Sequence, residues 1–248
     1  MLNRYTIWIG LPAFNEEEAI KKVLTKIVKL KEKFKNKGIK VIIFNDGSTD
    51  DTIKNAKLFK KELNLILINN KKNQGLGIAV YSLLSYFNSK SSINDKLVLM
   101  DCDNTHNPKK ILEMDKKIGK KRNIVVIASR YQKGSIVKNV PFRRKILSHL
   151  AFLVLNIFYK TNGIRDFTSG YRMYDELVVK NFFLTVGKNY SPRSGFEMQL
   201  ELILKLRKTN ARFDEIPIEL DYKKKPTESK MKIFKTILNY LNLLIKKN

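Results

Sequence analysis

Two carboxylates, Asp101 and Asp103, stand two positions apart where an apolar run, LVLM, gives way to a polar one, NTHNP. A carboxylate at the end of a strand and a second two residues on can turn toward one cation. Oxygen donors of this kind suit magnesium or manganese, which bridge readily to a diphosphate. A cation so held would offset the diphosphate charge and stabilise it as a leaving group. Asp-x-Asp triplets also occur as turns and helix caps, so the position after an apolar run is what carries the reading. Asp46 follows another apolar run, KVIIFN, and opens the segment DGSTDDT. There a carboxylate can hold a ribose hydroxyl or a base edge. Gly47 permits a tight turn, and Ser48 or Thr49 is expected to cap the next helix. Cys102 is expected to be inert, and His106 to serve a loop hydrogen bond in preference to a cation.

These residues need a scaffold that brings them to one place. Tyr5 to Leu11, Lys40 to Phe44, Leu65 to Ile68, Lys96 to Met100 and Asn123 to Ala128 are apolar, β-branched runs and are expected as strands. Between them lie helical patterns, such as Ala19, Ile20, Val23, Leu24, Ile27 and Leu30 within Glu16 to Lys33, and the stretch Gly75 to Phe87. Strands alternating with helices predict right-handed βαβ units and a mainly parallel sheet. Ligands of such sheets sit beyond the carboxyl ends of the strands. Asn15, Asp46 and Asp101 each follow a strand and should converge on that edge. The second half reads differently. Asp166 to Tyr174 is a polar loop leading to a short strand, Gly195 to Lys208 a helix, and Phe213 to Asp221 a strand. Pro141 to Tyr159 starts basic and turns apolar, and Ile233 to Ile245 is an apolar-rich amphipathic helix. Asn73 to Gly77 could be a plain loop, since two glycines do not make a phosphate fingerprint.

The chain has 248 residues, enough for one large α/β domain with a sizeable core. Its net charge of +26 favours anionic partners: nucleic acid, acidic lipid or phosphorylated substrates. A Lys-rich composition alone could also supply much of that excess. The single cysteine excludes an intramolecular disulfide and a multi-cysteine zinc site. The first residues lack the apolar stretch of a signal peptide. The longest apolar stretch, Ile146 to Tyr159, falls short of the roughly 20 residues that a spanning helix needs.

Several of these segments, in order, resemble glycosyltransferase family 2, the inverting GT-A-fold enzymes: LPAFNEEEAI, VIIFNDGSTDDT, NQGLGIAV and VLMDCDNTHNP. In the second half IASRYQKGS, FRRKILS, DFTSGYRMY, GFEMQLELILKL and IPIELDYKKKPTESKMK look like the dolichol-phosphate mannose synthases and related polyprenyl-phosphate glycosyltransferases. The resemblance implies that Pro12, Phe14, Glu16 and Asp46 hold the base and ribose of the donor. It implies that Asp101 and Asp103 hold the metal, and that Arg130 lies near the diphosphate. It assigns Arg144 and Ser148, one helical turn apart, and the later pair Ser229 and Lys230 to the lipid phosphate. Two departures stand out. Thr105 replaces the family's frequent Gln after the second Asp. Lys224 and Thr227 replace Arg and Gly in the acceptor loop, and Lys lacks the guanidinium fork.

The expectation is therefore a GT-A-like sheet with helices on both faces. Residues 1–222 would form the transferase domain, with 223–248 as basic acceptor loop and amphipathic helix of the same unit. A sugar, mannose or glucose, would pass from a nucleotide diphosphate sugar to a polyprenyl phosphate with inversion, aided by magnesium or manganese. The protein would sit peripherally on the cytoplasmic, anionic membrane face, with room for a separate membrane-anchoring subunit. A family 2 enzyme using a hydroxyl acceptor is the rival; it needs a base, and Asp166 is the candidate. A basic nucleic-acid-binding protein fits the charge, but no nucleic-acid motif is present, and strand-end carboxylates would repel phosphate without a metal. A catalytically inactive binding module is the remaining alternative.

Overall fold

The first strand, β1 (Thr6–Ala13, TIWIGLPA), is buried on both of its faces, as a central strand of a parallel sheet must be. In a computed structural model of the chain, which describes residues 5–34, 37–140, 152, 164–187 and 190–224, β1 lies near the middle of a seven-stranded sheet. The other strands of this sheet are β2 (Gly38–Asp46), β3 (Asn64–Asn70), β4 (Lys96–Leu99), β5 (Ile124–Ser129), β7 (Arg172–Asp175) and β8 (Arg212–Pro217). Their order is β3-β2-β1-β4-β7-β5-β8.

Helix α1 (Glu17–Lys31) buries the predicted stripe from Ala19 to Leu30. Glu17 and Glu18 in its first turn and Lys29 and Lys31 in its last oppose the ends of its dipole. With α2 (Thr52–Lys57) and α4 (Lys110–Ile118) it covers one face of the sheet, against Ile7, Ile9, Val41, Val98 and Val126. Helices α3 (Leu76–Lys90), α5 (Glu176–Thr185) and α6 (Met198–Arg207) cover the other, against Trp8, Ile42, Leu97 and Val125. The expected mainly parallel sheet with helices on both faces is what is observed.

Two features of the topology position the site. The chain runs outward from β1 through β2 to β3, then returns to place β4 on the other side of β1, all four parallel. The carboxyl ends of β1 and β4 thus form a topological switch point, where open α/β sheets open a crevice. The short strand β7 is inserted antiparallel between β4 and β5. The turn that precedes it, Ser169 to Tyr171, is thereby delivered to the carboxyl ends of its neighbours.

The strand expected over Phe213 to Asp221 is two strands. Pro217 has no N–H and ends β8. Ile218 then donates its N–H to the Ser129 carbonyl and accepts the Ile136 N–H. Beyond it β9 (Glu219–Asp221) pairs with β6 (Ile136–Lys138) in a separate ribbon, followed by a 3-10 turn at Tyr222–Lys224. Among the described residues no helix is long and apolar enough to cross a membrane. Except for Phe152, the apolar stretch Ile146 to Tyr159 lies outside the described residues, as does the whole of Ile233 to Ile245.

Candidate active site

The turns after β1 and β2 are stitched together. Asn15, in a left-handed conformation with φ 51°, donates its N–H to Ser48 Oγ at 3.0 Å and accepts the Thr49 N–H on Oδ1 at 2.9 Å. Glu16 donates its N–H to Thr52 Oγ1 at 2.8 Å. Ser48 and Thr49 are therefore not helix caps as expected. Asn15 engages both, and Asp50 accepts the Thr52 N–H at 3.0 Å at the start of α2. Pro12 and Phe14 are half-buried beside these turns, and Glu16 is buried.

Asp46 is also buried, and its carboxylate is engaged by the chain. Oδ1 accepts the Gln74 N–H at 2.9 Å and the Asn70 side-chain amide at 3.2 Å, while Oδ2 accepts the Gly75 N–H at 2.8 Å. Asp46 thus anchors the loop that enters α3, a role invisible from its own neighbourhood in sequence. The glycines of that loop have a packing reason. Gly75 has φ +95°, and a Cβ there would lie 2.4 Å from the Ser194 carbonyl oxygen. A Cβ on Gly77 would lie 1.9 Å from the Arg193 carbonyl oxygen. The Pro192–Ser194 segment rests directly on the N-terminus of α3, so NQGLG is not a plain loop.

On the β4 side, Asp101 has a side chain 38% exposed and Asp103 is buried. Asp103 Oδ1 accepts both the N–H of Thr105, at 3.1 Å, and its hydroxyl, at 2.6 Å. Thr105, the departure noted in the sequence, therefore orients the second carboxylate. His106 Nδ1 accepts the Asp101 N–H at 3.0 Å, the loop hydrogen bond expected of it. Lys26, from α1, donates to Asn104 Oδ1 and ties the helix to this loop. Among the described residues no three His, Cys, Asp or Glu side chains gather to hold an ion by themselves. Two carboxylates with substrate oxygens and water completing the shell is the arrangement magnesium favours with diphosphates. The donor set fits such an ion.

The turn before β7 packs against this loop. A Cβ on Gly170 would stand 3.6 Å from Asp101 Oδ1. Asp166 is fully buried and accepts from Arg130 three times: from N–H at 2.9 Å, Nε at 2.8 Å and Nη2 at 2.7 Å. It also accepts the Ser169 N–H at 3.0 Å, which closes the turn. Burial alone would push this carboxyl up; Arg130 and the backbone donors override it and hold it below the usual range. Burial likewise opposes the charge on Arg130, and Asp166 reverses that effect and raises its pKa. Glu215 accepts the N–H groups of Arg165 and Asp166 at 2.7 and 2.8 Å, fixing the turn from β8. Burial pushes its own carboxyl up.

The structure thus brings Asn15 to Ser48 and Thr49, Asp46 to Gly75, Asp101 to Gly170, and Arg130 to Asp166. Arg144, Ser148, Ser229 and Lys230 lie outside the described residues.

The sheet order, with carboxylates at the strand ends, is that of a GT-A-like fold. The family model described as glycosyl transferase family 2 matches residues 8–183, and the chain belongs to that family. It is 29% identical over 232 residues to a dolichol-phosphate mannosyltransferase of Pyrococcus furiosus, across 93% of this chain and 60% of that protein, so it spans less than two thirds of that relative. It is 28% identical to an uncharacterised protein of Methanocaldococcus jannaschii, across 89% of this chain and 84% of the other. Its fold is similar to glucosyl-3-phosphoglycerate synthase from Mycobacterium tuberculosis in complex with Mn2+, UDP and glucosyl-3-phosphoglycerate. The TM-score is 0.65 at 18% identity, over 96% of this chain and 80% of that one. At that identity the likeness concerns the fold.

Proposed function

We propose that this chain transfers a hexose, mannose or glucose, from a nucleotide diphosphate sugar to a polyprenyl phosphate, with inversion. An oxygen of the acceptor phosphate attacks the anomeric carbon as the bond from that carbon to the diphosphate oxygen breaks. The nucleoside diphosphate leaves with that electron pair. The acceptor is already anionic at neutral pH, so no proton has to be removed. Catalysis then reduces to alignment and charge stabilisation.

In this reading Pro12, Phe14, Glu16 and Asp46 line the base and ribose side, with the Gln74–Gly75 loop fixed by Asp46. Asp101 and Asp103 hold magnesium or manganese, which when bound offsets charge on the diphosphate. Arg130, aimed by Asp166, adds a fixed positive charge beside it. Arg144, Ser148, Ser229 and Lys230 bind the acceptor phosphate, and residues 223–248 belong to the same unit as 1–222. The basic segments rest on the anionic cytoplasmic face of a membrane, where each nearby Lys or Arg contributes about 1 kcal/mol. The protein should sediment with anionic vesicles at low salt and leave them at high salt; equal binding to neutral vesicles at all salt concentrations would count against this.

The observation that carries the reading is the saturation of Asp166. The hydroxyl-acceptor alternative needs a base, and the candidate base is fully buried, ion-paired and held below the usual carboxylate range. The deciding experiment offers guanosine and uridine diphosphate hexoses with short polyprenyl phosphates and with the corresponding neutral polyprenols, reading glycolipid by mass spectrometry. Product from the phosphate alone supports the proposal. Comparable product from polyprenol, or none from any donor with the phosphate, overturns it.

A further inference from the structure

His106 lies inside the metal-motif loop without being needed as a ligand, yet both of its ring nitrogens address Asp101. Nδ1 accepts the Asp101 N–H at 3.0 Å, so that nitrogen presents its lone pair and the neutral ring carries its proton on Nε2. Nε2 in turn stands 3.8 Å from Asp101 Oδ2, an electrostatic contact longer than a hydrogen bond. The ring cannot easily turn. It stacks on Tyr171 with centroids 4.7 Å apart and 21° between planes. Tyr171 is itself fully buried, and its hydroxyl donates to the Asn107 carbonyl at 2.9 Å. The backbone of His106 forms an antiparallel bridge to Leu220, which fixes the loop from the other direction. Asp101 Oδ1, meanwhile, is 3.6 Å from where a Cβ on Gly170 would stand.

We infer that His106 is a positioning residue: it presets the backbone and carboxylate of Asp101 for a divalent cation, with Tyr171 as the platform that sets the ring. The inference rests on the proposed reading of Asp101 and Asp103 as the metal carboxylates. Ordering a half-exposed carboxylate opposes cation binding, and an outer partner that limits its rotamers lowers that cost. Outer partners of this kind typically change metal affinity by about 10–100-fold when removed. A role in folding alone would lower the melting temperature and leave the affinity of the folded protein unchanged.

The test titrates Mn2+ into the full chain and reads free Mn2+ by electron paramagnetic resonance, with the melting temperature of each variant alongside. His106→Ala is expected to weaken Mn2+ binding about tenfold or more. His106→Asn, whose amide oxygen can take the place of Nδ1 for the Asp101 N–H, is expected to recover part of the loss. Asp101→Asn is the reference and should weaken binding at least as much as His106→Ala. If Asp101→Asn weakens binding while folded His106→Ala stays within about twofold of wild type, His106 does not position the site and the metal reading stands. If Asp101→Asn binds like wild type, the metal reading fails and takes this inference with it. If His106→Ala does not fold, His106→Leu, which fills the space without offering an acceptor, decides: binding about tenfold weaker is expected, and wild-type affinity overturns the inference.

Discussion

Replacing Asp166 with Asn tests how the Arg130 site is built and whether it contains a base. The carboxylate is fully buried and spends its lone pairs on Arg130 and on the turn that ends at Ser169. Asn keeps the shape but offers one acceptor oxygen and turns a donor group toward a guanidinium that is itself all donor. Arg130, with its side chain 21% exposed, is left without its counter-charge. Breaking a fully buried ion pair costs about 3–5 kcal/mol. Arg130 keeps some access to water, which points to the lower end, about 3 kcal/mol. In a domain of this size each kcal/mol moves the melting temperature by roughly 2–4 °C, so a fall of roughly 6–12 °C is expected by calorimetry. The pH dependence has a definite sign. A carboxyl whose folded pKa is depressed stabilises fully above its unfolded value of about 3.9 and loses that contribution as pH falls through the folded value. The gap between wild type and Asp166→Asn should therefore stay constant from neutral pH down to about pH 5 and close only below about pH 4. Transfer activity should drop in height while its pH profile keeps its shape. A melting shift of under about 2 °C would refute the energetic argument. Loss of one limb of the pH profile in a folded variant would make Asp166 a base after all.

The other substitutions probe separate parts of the site. Asp103→Asn should cut transfer at least about tenfold, and a chelator should abolish it with rescue by manganese or magnesium; full activity in chelator removes the metal from the mechanism. Gly77→Ala would ordinarily favour a helix by up to about 1 kcal/mol. Here the new Cβ meets the Arg193 carbonyl oxygen, so overpacking of about 1–3 kcal/mol should make the variant less stable in denaturant; a more stable variant would mean that the Pro192–Ser194 segment does not rest on α3. Arg144→Ala should lower acceptor efficiency about ten- to hundredfold, the scale of a charge-assisted hydrogen bond of roughly 1.5–3 kcal/mol. Donor affinity, read by calorimetry, should hardly move, and an equal loss in both would take Arg144 away from the acceptor phosphate.

Much of this was legible in sequence because the signals are local. The stripe from Ala19 to Leu30 fixes α1 by its spacing, and the apolar runs Tyr5 to Leu11, Lys40 to Phe44 and Lys96 to Met100 fall in parallel strands whose ends share one edge. What escaped depends on residues far apart in the chain. RMYD is only four residues long, too short for periodicity to show that it runs antiparallel between β4 and β5. Gly75 and Gly77 are explained by Arg193 and Ser194, more than a hundred positions later. Ser48 and Thr49 look like caps until Asn15, from another turn, engages both. Asp46 looks like a ligand-facing carboxylate, and its hydrogen bonds to Gln74 and Gly75 emerge only once β2 and β3 are paired.

The antiparallel insertion of β7 explains how the turn that precedes it comes to share one edge with the carboxyl ends of β1, β2 and β4. A parallel strand in that slot would put its carboxyl end at the edge and carry the Ser169–Tyr171 turn to the far side of the sheet. Reversed, β7 brings that turn against Asp101 while the loop before it holds Arg130 through Asp166. The carboxylates then divide their work by burial. Asp101 retains exposure at the crevice, whereas Asp166 is withdrawn and neutralised by an arginine. A site that had to remove a proton from a hydroxyl would need one carboxylate raised in pKa and open to substrate. The carboxylate best placed by sequence for that task is instead lowered and enclosed. A carboxylate so enclosed fixes charge and is no base, which suits the proposed acceptor, one that arrives already ionised.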